Sequence, residues 1–343
     1  MKGDVLCLDI GSGTQDALLW SPERSLENCP KFVLLAPARQ VAARIAALTE
    51  QGRPIHLHGC NMGGGFFGAV RGHLKAGLAV TAHPQAALAI SDDPARLAGQ
   101  GVTLSDTCPR GHVPVHLTDF DPGFWRGLLA QAGLEYPSLV LAAAQDHGHH
   151  PGGSNRLGRF ALWERFLDRT RGRLEDLLYE AVPPELTRLA ALQQSIGGGP
   201  VMDTGPAAAL GALFDPAIEE GCQEEGALLV NMGNSHVLGL LLFAGRLHGV
   251  YEHHTGQISS FELMVQLGRF RQGCLSGEEV RAGGGHGCLT LPRPDAARGF
   301  PATYVLGPRR AELSGMQAEF PAPGGDMMLA GCFGLLKAWR ALA

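Results

Sequence analysis

Two stretches of the chain set small and polar residues where a phosphate could sit: Asp9-Ile10-Gly11-Ser12-Gly13-Thr14 and Asn231-Met232-Gly233-Asn234-Ser235-His236. Apolar runs flank both, so each reads as strand, tight turn, strand. Glycine in such a turn lets the main chain approach an anion closely and present its N–H groups. In the first turn, Asp9 either holds a hydrated Mg2+ while Ser12, Thr14 and the amides around Gly11 and Gly13 meet phosphate oxygens, or it caps the turn. The second turn offers Gly233, Asn234 and Ser235 in the same way but has Asn231 in the acidic position. An amide can orient water or phosphate, yet it supplies neither a general base nor a full charge to a metal. Two such hairpins in separate halves of the chain suggest a bilobal protein that closes on a nucleotide from both sides.

A second group of candidates lies in Gln145-Asp146-His147-Gly148-His149-His150, followed by Arg156 and Arg159. It begins where a strand-like run, Ser138 to Ala143, opens into a polar loop, a common place for active-site groups. Asp146 or His147 could act as general base, and Arg156 and Arg159 could pair with a phosphate or a substrate carboxylate. The alternative is a loop that satisfies its own polar side chains. Further histidines occur at Glu252-His253-His254, at His236 and in Gly283-Gly284-Gly285-His286-Gly287. These raise a transition-metal site as one reading. Adjacent histidines on a strand face opposite ways, so His253 and His254 are not expected to share an ion. The other reading makes them a polar lining for the cleft, with His253 or His254 meeting substrate or phosphate. Gly59-Cys60-Asn61-Met62-Gly63-Gly64-Gly65 is a βα turn that could show helix N–H groups to an anion, without the Walker lysine.

The elements that must position these residues alternate. Strand-like runs fall near Val5 to Ile10, Ala17 to Trp20, Phe32 to Ala36, Ile55 to His58 and Leu78 to Thr81, with helices near Arg39 to Glu50 and Phe66 to Leu74. That order predicts a mixed α/β sheet. A helical stretch near Pro94 to Ala98 and a mainly helical block from Arg159 to Gln193 follow. The order then recurs: strands at Ala227 to Val230, His236 to Phe243 and Leu247 to Tyr251, a helix near Ile258 to Phe270, a strand at Thr303 to Leu306, a helix after Arg309 and a last one from Asp326 to Trp339. We expect duplicated βββαβα lobes, residues 1–200 and 201–343, around a central cleft.

Composition narrows the function class. The 28 basic and 33 acidic residues give a formal charge of −5, which leaves no footprint for nucleic acid or anionic lipid. No run of about twenty apolar residues offers a membrane span, and Asp4 and Asp9 interrupt any signal core, so a cytoplasmic protein is expected. The 8 cysteines contain no C-x-x-C pair.

Taken in order, DIGSGT at Asp9, GPAAALGALFD at Gly205, VNMGNSH at Val230, VLGPRRAEL at Val305 and GDMMLAGCFGLLKAW at Gly325 resemble the actin-like ATPase superfamily of sugar kinases, chaperone ATPases and actins. The resemblance implies a two-lobed, ribonuclease H-like fold with phosphate-1 and phosphate-2 hairpins, two connecting helices and an adenosine loop at Gly307. It also implies ATP with Mg2+ near Asp9 and phosphotransfer or slow hydrolysis. A nucleotide-sensing module with little turnover, favoured by Asn231, and a histidine-dependent metalloenzyme stay open beside it. More closely, LDIGSGTQDALL, GCNMGGGFFGAVRGHLKAGLAV, AAQDHGHHPGGSNRLGRF, VMDTGPAAALGALFD, VNMGNSHVLGLLL and YEHHTG are similar to a family labelled "putative pyruvate formate-lyase activating enzyme". That label implies S-adenosylmethionine and a cluster held by C-x-x-x-C-x-x-C. The chain has no such triad, so this activity is not expected of it.

Overall fold

The structure is a computed structural model that describes residues 3–342; positions 1, 2 and 343 of the expected lobes lie outside the described residues. In chain order the strands are β1 (Val5–Ile10), β2 (Thr14–Trp20), β3 (Lys31–Leu35), β4 (Ile55–Gly59), β5 (Val80–Ala82), β6 (Val102–Leu104), β7 (Val113–Leu117), β8 (Leu139–Ala144), β9 (Val201–Met202), β10 (Ala227–Met232), β11 (His236–Phe243), β12 (Arg246–His254), β13 (Gly287–Thr290) and β14 (Ala302–Leu306).

Strand β1 is central, paired antiparallel to β2 and parallel to β8, and is buried along its whole length because both its faces pack into apolar cores. The first sheet runs β3-β2-β1-β8-β9 and the second β13-β12-β11-β10-β14. In each, an antiparallel meander is extended by a later strand lying parallel to the meander's first strand. The expected duplication is therefore present as a repeated strand order. It is not exact: the first lobe adds β9 beyond β8, whereas the second adds β13 outside β12.

Period-two alternation decides what each central strand shows to the cleft. From β1, Val5 and Cys7 enter a core shared by the two lobes, while Leu6, Leu8 and Ile10 enter a separate outer core with Phe120 and Trp125. Asp9 continues the face of Val5 and Cys7, so it emerges between the lobes. By the same logic Leu229 of β10 enters the shared core and Asn231 follows it on that face. Two helices, Thr204–Ala212 and Ala330–Leu342, fill the shared core. They cross at backbone contact: a Cβ on Gly211 would collide with the carbonyl of Ala330, and one on Gly334 with the carbonyl of Ala207. The small residues of GPAAALGAL thus serve close helix packing.

The chain between β3 and β8 departs from expectation. Ile55 to His58 and Leu78 to Thr81 are strands, but they do not extend the first sheet. They form, with β6 and β7, a separate parallel sheet of order β6-β5-β4-β7. This inserted unit closes its own core from Ile45, Ile55, Leu57, Phe66, Val70, Val80 and Val115. The partner of β1 is instead β8, the continuous apolar run that a strand buried on both faces requires.

The helical block expected over Arg159 to Gln193 divides into Asn155–Thr170, which ends at the left-handed Arg171 and Gly172, and Thr187–Ser195, which begins only after Pro183 and Pro184. After Arg309 there is only a 3-10 turn, Arg310–Leu313. The last helix starts at Ala330 because Asp326 caps a preceding 3-10 turn, Met327–Leu329. Among the described residues no helix is long and apolar enough to cross a membrane.

Candidate functional site

The two hairpins close their turns identically. The Gly11 N–H donates to the Thr14 carbonyl at 2.9 Å, and the Gly233 N–H to the His236 carbonyl at 2.9 Å. Their tips meet across the lobes, with the Ser235 hydroxyl donating to the Ser12 hydroxyl at 2.7 Å and the Asn234 side chain lying over Gly13. The backbone N–H groups of Ser12, Gly13, Asn234 and Ser235 have no acceptor among the described residues. Beneath the tips opens a cavity of about 540 Å3, lined by Asp9, Gly11, Ser12 and Thr14 from one side and by Asn231, Gly233, Asn234, Ser235 and Gly307 from the other. That volume suits a small-molecule ligand. Gly307 has φ +96° just after β14, and a side chain there would strike the Asn231 amide and the Met232 carbonyl. The inserted unit contributes Asn61 to Gly65, anchored by Asn61 to the Thr187 hydroxyl at 3.0 Å and by the Gly63 N–H to Asp119 at 3.2 Å.

The floor is acidic. The register pairs Asp9 with Asp16, so both carboxylates share the cleft face, and Asp203 caps the helix Thr204–Ala212 nearby. Asp9 accepts from the Thr204 hydroxyl at 2.8 Å, and Asp16 has a buried oxygen, Oδ1, with no partner. Burial pushes the Asp9 carboxyl up to about 7, against the Thr204 hydrogen bond and with help from the Asp203 charge. Burial, then the Asp9 charge, pushes Asp16 up to about 8. Burial outweighs every neighbouring charge at both carboxyls. Their hard oxygen donors fit Mg2+, and Asp16 and Asp203 are contributors that the turn motif did not single out. A hairpin register beginning at Asp9 is the signal that could have found Asp16.

Beyond the floor, several expected roles change. Asp146 lines the cavity, but its Oδ1 accepts the Gly148 N–H at 2.8 Å and its Oδ2 accepts the N–H groups of Arg188 and Leu189 at 2.9 and 3.0 Å. With its oxygens occupied, it organises the loop and the start of the helix Thr187–Ser195 instead of serving as a free base. Arg159 is not available to a substrate either. It is buried and binds Glu252 at 3.0 Å, Asp203 at 2.9 Å and the Asp146 carbonyl at 2.7 Å, which ties the first lobe's loop to β12 of the second. Arg188 makes a comparable fork with Asp119 at 2.7 and 3.0 Å. Arg156 is half-buried, close enough to His254 for its charge to hold that imidazole's proton affinity down after burial has done so. His253 is fully buried on the face of β12 away from the cleft, its Nδ1 against the His254 carbonyl at 3.0 Å. It is a core residue and does not line the cleft cavity in which the expected substrate contact would have to lie.

The remaining histidines converge. His147 and His236 rings stand 5.0 Å apart, His147 and His286 stack at 4.8 Å, and His254 lies 4.7 Å from His236 and 4.6 Å from His286. Glu252, two residues before His254 on the same face of β12, joins them. Burial, more than the neighbouring imidazoles, holds His236 down to about 2 and His286 to about 3, so both rings are neutral at ordinary pH. Glu252 is opposed by burial, yet Arg159 holds it well below the usual range. Glu252, His236 and His286 belong to the group for which the sequence raises a metal site, whereas His147 reaches it from the loop after β8, far away in sequence.

No curated protein matches the chain. Among solved structures, it is similar to an exopolyphosphatase-like protein at 8% identity, over 89% of this chain and 66% of that one, with a TM-score of 0.31. It is also similar to the ethanolamine utilization protein EutJ from Carboxydothermus hydrogenoformans at 9% identity, over 96% and 88% of the two chains, with a TM-score of 0.27. A third likeness is to a ROK family glucokinase from Streptomyces griseus in complex with glucose and AMPPNP, at 12% identity over 97% and 98%, with a TM-score of 0.32. At the level of sequence families, the model described as "Putative pyruvate format-lyase activating enzyme (DUF1786)" matches residues 62–312, from the inserted unit's glycine-rich loop to beyond Gly307. The chain belongs to that family.

Proposed function

We propose that the cleft binds ATP with Mg2+ and carries out phosphoryl transfer, or slow hydrolysis, on an acceptor not yet identified. The observation that supports this reading is the meeting of two glycine-turn hairpins, with free N–H groups at both tips, over the buried carboxyls of Asp9 and Asp16. Unpaired backbone N–H groups at close approach form anion-binding concavities. In this reading the tips hold the β- and γ-phosphates, Asp9 orients the water shell of Mg2+, and Gly307 gives the adenosine a side-chain-free approach. Mg2+ would neutralise charge on the phosphates. Asp16, with its unpartnered oxygen and raised proton affinity, is better placed than Asp146 to accept a proton or orient a water. Little covalent chemistry is asked of the protein, because phosphoryl transfer rests mainly on positioning and charge stabilisation. Eight free cysteines, most of them buried, suit the reducing cytoplasm.

A sensor with little turnover is the second reading, favoured by Asn231 and Leu238 standing on the second hairpin where Asp9 and Asp16 stand on the first. Calorimetric titration of ATP, with and without Mg2+, tests the binding; no heat at millimolar nucleotide would overturn both readings. Single-turnover assay of labelled ATP then separates them. Release of phosphate that Asp9→Asn abolishes supports catalysis, and binding without release supports the sensor.

A further inference from the structure

One ring nitrogen each from His147, His236 and His286 and one oxygen of Glu252 lie within 4.8 Å of one another, the one such group of three or more His, Cys, Asp or Glu among the described residues. The donors come from four separate places: the loop after β8, the first residue of β11, the middle of β12, and the turn before β13. A formed tetrahedral site with metal–nitrogen bonds of about 2.0–2.1 Å has its donors roughly 3.4 Å apart. Modest imidazole rotation closes the difference.

The same atoms lack partners. His147 Nε2, His236 Nδ1 and both nitrogens of His286 are buried with no hydrogen bond. Buried polar groups are normally satisfied. Orphans that converge on one point share one missing partner.

The surroundings are built as an outer shell. Glu252 Oε2 accepts from Arg159 at 3.0 Å and Oε1 accepts from Gln145 at 2.8 Å, leaving Oε1 a second lone pair directed at His147, whose Nε2 is 3.6 Å away. Held in this way, the carboxylate is oriented before any ion arrives, as ligands in metal sites are. Arg159 does not repel a cation outright, because Asp203 shares its charge. The pair of carboxylates outweighs the single guanidinium.

We propose that His147, His236, His286 and Glu252 form a site for one divalent transition ion of the zinc class, bridging the two lobes at the edge of the cleft. Imidazole donors with one carboxylate select such an ion over Mg2+ or Ca2+, which prefer all-oxygen shells. His147 belongs to the first lobe and the other three ligands to the second, so the ion acts as a clamp across the seam. His147 and His236 also line the cavity, and His236 directly follows Ser235 at the second hairpin's tip. The ion therefore faces whatever occupies the cleft. This site is separate from the oxygen-only floor at Asp9 and does not depend on nucleotide binding.

The test uses full-length protein purified without a histidine tag, stripped with chelator, and titrated with Co2+ and then Zn2+ in the absence of nucleotide. The expected result is one Co2+ per chain, with the intense visible absorption of a four- or five-coordinate ion, displaced by one equivalent of Zn2+. His286→Ala and His236→Ala each weaken binding at least about 100-fold, and the exposed His116→Ala leaves it unchanged. Should a variant misfold, X-ray absorption on the wild-type Zn2+ form decides, with three nitrogen donors and one oxygen expected in the first shell. Substoichiometric binding, the pale spectrum of octahedral aqueous Co2+, or a shell without three nitrogens would overturn the proposal. Because no nucleotide is present, either failure leaves the ATP reading to stand or fall by its own titration.

Discussion

The two hairpins share a backbone and differ in chemistry. Gly11 corresponds to Gly233 and Thr14 to His236, and both turns are closed by the same hydrogen bond. Along the cleft-facing side, however, Asp9 and Asp16 of the first lobe are replaced by Asn231 and Leu238 of the second. The first lobe therefore presents the buried carboxyls of Asp9 and Asp16, whose proton affinity burial raises. The second places its buried carboxylate, Glu252, against Arg159 and surrounds it with imidazoles. A duplicated scaffold thus carries two turns closed by the same hydrogen bond while placing carboxylates on one side and imidazoles on the other.

The comparison is broken most severely at the paired acid. Arg159→Met strands Glu252 and Asp203 in the interior, and loss of one partner of a buried ion pair costs about 3–5 kcal/mol. Urea denaturation should show a loss of that size; a change below about 1 kcal/mol would mean that the network is solvated and the two acids are not differently held.

Exchange of the corresponding turn residues comes next. Asp9→Asn makes the first hairpin like the second, and MgATP affinity should fall about 100-fold, equivalent to about 2.7 kcal/mol. The reciprocal Asn231→Asp should change it by no more than about threefold, because no second acid faces residue 231. Equal effects from the two exchanges, read by calorimetry, would contradict the assigned asymmetry.

The unpaired acids also give a pH signature. Asp9 and Asp16 have folded-state proton affinities raised from the usual carboxylate range to about 7 and about 8. The stability associated with their protonated forms is complete below about pH 4 and is lost as pH rises through 7 and 8. His236 and His286, held down to about 2 and 3, act in the opposite sense, losing stability as pH falls below about 6.5. Above that value only the acids remain. The Tm of chelator-treated protein should therefore fall between pH 6.5 and 8.5, with Mg2+ restoring more of it at pH 8.5 than at 6.5. Asp16→Asn should flatten the slope and stabilise the protein at pH 8.5 by at least about 1 kcal/mol; an unchanged slope would show that these carboxylates are already compensated.

The smallest effect belongs to the contact between the tips. Ser235→Ala removes a single neutral hydrogen bond to Ser12 and should cost no more than about 1 kcal/mol in thermal unfolding.

The parts of this arrangement legible in the sequence are the local ones. Glycine spacing marked both turns, small residues marked the helix beginning at Thr204, and alternation along β12 separated His253 from Glu252 and His254. What escaped depended on pairing between distant segments. Ile55 to His58 has the local character of a sheet strand, and nothing in it shows that an inserted unit closes around it while β8 takes the place beside β1. Asp146 reads as a general base and Arg159 as a partner for phosphate or carboxylate because a polar loop after a strand is a common place for active-site groups. Their partners, the amides of Arg188 and Leu189 and the carboxylates of Asp203 and Glu252, arrive from elsewhere in the chain. The convergence of His147, His236 and His286 has the same origin: no spacing rule joins residues delivered by two lobes.

The most direct measurement is a crystal structure of the full chain with a non-hydrolysable ATP analogue and Mg2+. The account predicts the β- and γ-phosphates between the tips at Ser12–Gly13 and Asn234–Ser235, the Mg2+ water shell on Asp9, and adenine beside Gly307. Phosphates seated elsewhere, or a cleft that stays free of nucleotide at saturating concentration, would contradict it.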